Sequence, residues 1–85
     1  MANLGFFAIN TEGEYVKLSE ETGLTLTSGT TYTMQVQGAC YLCESATKPT
    51  KGGFYINKTE PFSYTAGSAD LWISTIFSSH INIAE

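Results

Sequence analysis

Between Leu24 and Ser45 the chain alternates apolar and polar residues with a period of two, and this restricts the fold more than any other feature. Leu24 and Leu26 alternate with Thr25 and Thr27, then Tyr32, Met34 and Val36 alternate with Thr33, Gln35 and Gln37. Successive side chains of a strand point to opposite faces, so the pattern gives one apolar face and one Thr/Gln face. Ser28-Gly29 interrupts the alternation and Gly38 interrupts it again, as turn residues do. The segment therefore predicts two or three β-strands in succession, rich in the β-branched and aromatic residues that strands favour.

The rest of the chain continues in the same manner. Phe6–Ile9 predicts a first short strand, Asn10–Glu14 a turn around Gly13, and Tyr15–Leu18 a second strand. Ser19–Gly23 is polar and acidic and reads as a loop, with one helical turn capped by Ser19 as the alternative. Ala46–Gly53 carries Pro49, Gly52 and Gly53 and reads as an exposed loop. Short strands follow at 54–56, 62–64, 71–73 and 81–83, separated by turn signals, with Ile76-Phe77 in a brief irregular stretch. Strands of this length and spacing predict an all-β fold, one small sandwich or jelly-roll-like domain over 1–85 with about seven to nine strands. The first 23 residues are expected to be its less regular part.

Charge narrows the partners. Eight acidic residues against four lysines give a net charge of −4, and there is no Arg. Arg is the usual bidentate reader of phosphate and guanine, and nucleic-acid binders present a basic patch, so nucleic acid is disfavoured. An anionic membrane surface is disfavoured on the same ground. No stretch approaches the roughly 18–20 apolar residues of a membrane helix. Met1–Ile9 lacks the cationic start and apolar length of a signal peptide, so the expected compartment is the one of synthesis, with free thiols. Asn57-Lys58-Thr59 matches a glycosylation sequon and is read as accidental there.

No residue set selects itself for catalysis. Cys40-Tyr41-Leu42-Cys43 is a C-x-x-C, but redox motifs of this form sit at a helix N-terminus, whereas this one lies in a strand. Residues i and i+3 of a strand point apart, which works against a local disulfide. A structural zinc needs four ligands, and Cys40, Cys43 and the lone His80 supply three. His80 has no partner pattern and reads as a surface or turn residue. The acidic residues are scattered, without calcium-loop spacing. No cofactor is expected.

Aromatic residues are the remaining candidates. Trp72, Tyr55 and Tyr41 are candidate interface anchors, since Trp and Tyr dominate binding hot spots. If Leu71 and Ile73 face the core, Trp72 faces outward. The alternative puts Trp72 in the core with Leu71 and Ile73 covering an edge. Exposed, Trp72 and the tyrosines would also suit a sugar ring.

Phe62–Ser74 with Ile81–Glu85, and Tyr32–Gly38 followed by Tyr41–Ser45 and a Pro/Gly loop, resemble small β-rich structural proteins of tailed bacteriophages. That resemblance implies a non-enzymatic virion component, a capsid decoration or fibre-associated subunit. Its partners would be other virion proteins and further copies of itself, a trimer by preference, and it would be made in the host cytoplasm. A small glycan-binding module is the second expectation, and a C-x-x-C redox or metal protein the third. Independently of the resemblance, a short β-domain with few charges (14% of residues, against ~25% in ordinary domains) predicts self-association, because sheet edges need cover.

Overall fold

The computed structural model describes residues 2–85 and places them in eight strands and one short helix: β1 (Asn3–Ile9), β2 (Val16–Lys17), α1 (Leu18–Thr22), β3 (Thr31–Gln37), β4 (Cys40–Ser45), β5 (Phe54–Ile56), β6 (Phe62–Thr65), β7 (Asp70–Ser74) and β8 (Ser79–Ala84). The pairing is that of one long hairpin. β1 pairs with β8, β2 with β7, β3 with β6 and β4 with β5, all antiparallel. The tip of this hairpin is the Pro/Gly segment 46–53, which links β4 to β5. Rolling the ribbon sets β3 beside β8 and β4 beside β7. Two four-stranded sheets result, ordered β1-β8-β3-β6 and β2-β7-β4-β5. This nested order is a jelly roll, an eight-stranded sandwich built from two Greek keys. The all-β fold predicted from the alternation is the fold observed.

The apolar residues of each alternating run meet between the sheets. Tyr32, Met34 and Val36 of β3 and Ile81 and Ile83 of β8 pack against Leu42, Leu71 and Ile73 of the facing sheet. The ribbon crosses between sheets at Gly38, whose φ of +109° suits glycine. A Cβ there would stand 2.6 Å from the Ser79 hydroxyl, which donates to the Ala39 carbonyl and fixes the corner.

Three segments differ from expectation. The first 23 residues are regular: β1 runs from Asn3 rather than Phe6 and pairs along its length with β8. The strand expected over Tyr15–Leu18 is only Val16–Lys17, and α1 follows directly. This one-turn helix has Lys17, not Ser19, at its N-cap, and Gly23 closes it in the left-handed conformation with its N–H on the Ser19 carbonyl. Leu24–Thr27 keeps its alternation but is not a strand. Leu24 and Leu26 turn toward the core while the backbone is held singly: the Thr27 N–H donates to the Tyr32 hydroxyl at 2.7 Å, and the Gly29 N–H to Ala66 O at 2.7 Å. A strand needs a neighbour to form a ladder, and here none is adjacent.

The two long sides of the sandwich are finished differently. On one, α1 packs against β1, β2 and β7 and drives Leu18, 1% exposed, into the gap between the sheet edges. On the other, β5 and β6 are the outermost strands of their sheets, and among the described residues no helix lies across them.

Candidate functional site

The uncovered β5/β6 side is where the fold leaves apolar surface in water. The register Leu42↔Phe54 and Cys40↔Ile56 puts Phe54 and Ile56 on the inner face of their sheet, beside buried neighbours. Yet Phe54 is 81% exposed. It faces inward at the end of the sheet. Between the sheets runs a groove of about 240 Å³ lined mainly by Leu42, Phe54, Ile56, Phe62, Tyr64 and Leu71.

Polar contacts flank the groove. At one end, Glu44 of β4 accepts hydrogen bonds from the Tyr64 hydroxyl and from the Gly67 N–H, at 2.9 Å for the latter, and so ties the two sheets together. Burial, and after it the bond to Glu44, pushes the Tyr64 hydroxyl well above the usual tyrosine range. Beyond β5 the 57–61 connection crosses between sheets, and Gln35 Nε2, on the outer face of β3, donates to Thr59 O at 2.6 Å.

The apolar surface continues around β5. On the outer face Tyr41 and Tyr55 lie 4.9 Å apart with rings tilted by 40°. Beyond them, Ile76 and Phe77 project from the β7–β8 turn and share a small recess with Ala39, Tyr41 and Tyr55. Phe77 is 78% exposed. Strand β5 itself contains neither a charged residue nor proline, the usual guards of a sheet edge.

Tyr41 and Tyr55 are thus brought together, and Trp72 is not a free anchor. It is 8% exposed, and Leu71 and Ile73 beside it are buried as well. The reading that points Leu71 and Ile73 at the core and Trp72 outward has the directions right, but Trp72 is not exposed. Leu71 and Ile73 face the core, Trp72 faces away, and a second layer covers it. Trp72 Nε1 donates to Ser45 O at 2.9 Å, and Lys17 Nζ lies 5.7 Å from the ring centre while pairing with Asp70 at 3.4 Å. The 46–53 loop folds back over the same face, where the Tyr15 hydroxyl donates to Gly52 O. The Trp72 surface on which a glycan would stack is occupied by the chain itself.

The remaining candidates separate. Cys40 points into the core and Cys43 lies on the outer face in register with Trp72; both are free thiols. Burial pushes the Cys40 thiol up to about 11, away from nucleophilic use at neutral pH. His80, half-buried on β8, stacks on Phe6 at 4.9 Å and 5°, with Ala8 and Gln37 as its cross-strand neighbours. Among the described residues no cluster of three or more His, Cys, Asp and Glu side chains is placed to hold a metal. Among the described residues no helix is long and apolar enough to cross a membrane.

No family model, curated protein or solved structure matches the chain.

Phe54, Ile76 and Phe77 were not among the sequence candidates. The signal for Phe54 lies in Phe54-Tyr55-Ile56, which is apolar on both faces and follows Gly52-Gly53. A strand that is apolar on both faces, at a sheet edge, needs cover from outside. Ile76-Phe77 carries a comparable signal, two large apolar residues at a turn.

Proposed function

We propose that the chain is a non-catalytic building block of a larger protein assembly, and that this assembly is a tailed-phage virion, in which it decorates the capsid or sits with fibre parts. The observation that carries the building-block reading is the uncovered β5/β6 side. A groove whose inward-facing Phe54 is 81% exposed is half of an interface, since apolar surface gathered in one place favours contact with another protein. The virion is supported by the sequence resemblance and, by analogy of architecture, by the use of jelly rolls in viral capsids. Lectins share that architecture, but the glycan reading rested on Trp72 together with surface tyrosines, and of these Trp72 is buried.

Mass spectrometry of gradient-purified particles, produced from the genome that encodes this chain, tests the reading. The chain at a fixed ratio to the major capsid protein is the expected result. A chain abundant in the lysate and absent from the particles would overturn it.

A further inference from the structure

We propose that a second copy of this chain closes the open side, the two copies pairing antiparallel through β5 about a two-fold axis at Tyr55. This rests on the building-block reading and names the partner and the contact. Strand β5 is self-complementary about Tyr55. Placing Tyr55 against the partner's Tyr55 sets Phe54 opposite the partner's Ile56 and Ile56 opposite the partner's Phe54. In an antiparallel pair, opposed residues share a face, so the inner apolar side chains meet each other and the two grooves become one enclosed space. On the outer face the Tyr41–Tyr55 pairs of both copies form a continuous aromatic row. Each four-stranded sheet β2-β7-β4-β5 then becomes half of an eight-stranded one.

Surface area points to a copy of this size of contact. Phe54 (81% exposed), Phe77 (78%), Ile76 (62%) and Tyr55 (55%) all stand on this side. At roughly 150–250 Å² for a large aromatic, they hold on the order of 500 Å² of exposed surface. A stable pair needs roughly 800 Å² from each partner, which the groove walls and the β5 edge can complete. Charge permits the contact: the groove rim carries Lys58 and Glu60, so a copy reversed by the two-fold brings both signs to it. On the opposite side of the sandwich Leu18 and α1 fill the gap, and Phe6 of β1, 52% exposed, already stacks on His80.

Light scattering coupled to size exclusion, on the full chain at tens of micromolar, reads the assembly. The expected mass is that of two chains. Tyr55→Lys, a charge on an exposed edge position, should weaken association by about tenfold or more, while Gln37→Lys on the outer face of the other sheet leaves it unchanged. Circular dichroism of each variant confirms that the fold is intact. Tyr55→Cys gives a second readout independent of affinity. Opposed Cα atoms in an antiparallel pair lie roughly 4.5–5.5 Å apart, inside the ~4.4–6.8 Å span of a disulfide. Mild oxidation should therefore link Tyr55→Cys chains in pairs and leave Gln37→Cys chains unlinked. A folded monomer, a trimer, or a dimer indifferent to Tyr55→Lys and unlinked by Tyr55→Cys would overturn the proposal. A monomer that still copurifies with particles removes this contact and leaves the virion reading; a dimer absent from particles does the reverse.

Discussion

Gly53 holds the outer layer together at the scale of a single residue. Its φ is +95°, and a Cβ there would stand 2.8 Å from the Leu42 carbonyl oxygen and 2.6 Å from the Tyr15 hydroxyl. Gly53→Ala is therefore expected to destabilise the fold by about 1–3 kcal/mol, from backbone strain and displacement of the loop bonded to Tyr15, as measured by urea unfolding. Trp72 belongs to the same layer. Trp72→Ala should cost about 3–5 kcal/mol of stability, and its effect on assembly should follow only from loss of fold; a stable Trp72→Ala chain with altered assembly would contradict its placement. Cys40 gives a pH dependence. Its thiol titrates at about 11 in the fold against 9.0 when unperturbed. Its raised value contributes stability that is fully present below pH 9 and lost as the pH rises toward 11, on the order of 2–3 kcal/mol for a shift of this size. Cys40→Ala should flatten the stability profile between pH 9 and 10, leaving the loss above pH 10 to Tyr15 and Tyr64, both raised by burial.

At the scale of elements, the two sides of the sandwich make opposite predictions. Leu18→Ala removes the plug that α1 inserts and should cost about 2–5 kcal/mol. Phe54→Ser, studied where the chain is dilute enough to be monomeric, should stay within about 0.5 kcal/mol, because that ring touches water in the isolated chain. Equal losses at the two positions would refute the asymmetry. The same elements mark how far sequence reasoning reached. Strands β3 and β8 were legible because their alternation coincides with a real ladder, and β4 and β7 because each is a short apolar run in a chain of turn signals. Leu24–Thr27 has the same alternation and no neighbour, and period two cannot tell a paired strand from an extended segment facing the core. α1 was misjudged because one helical turn of polar residues has no periodicity of its own; Leu18, which gives the helix its purpose, looked like the end of a strand. The outward direction of Trp72 was legible and its burial was not, because Lys17, which lies over the ring, is brought there by a pairing that no local pattern encodes. Phe54 was legible as a strand residue but not as a surface, since exposure depends on β5 being outermost.

At the scale of the whole molecule, the nested hairpin explains both closure and opening. It brings the chain ends together, with Ala2 and Glu85 exchanging backbone hydrogen bonds at 3.0 and 2.8 Å, and it puts β5 and β6 together at the far side. Every strand pair except β4–β5 joins distant parts of the sequence, so folding should be slow for a chain of this size. The side near the tip is the one left unfilled, and the account holds that this side is completed by another protein surface. Hydrogen exchange followed residue by residue, at low and at high protein concentration, tests that claim most directly. The account predicts that the amides of Phe54–Ile56 and Phe62–Thr65 gain protection as concentration rises, while those of β1 at the opposite edge do not change. Protection that stays constant along β5 and β6, or rises on β1 instead, would contradict it.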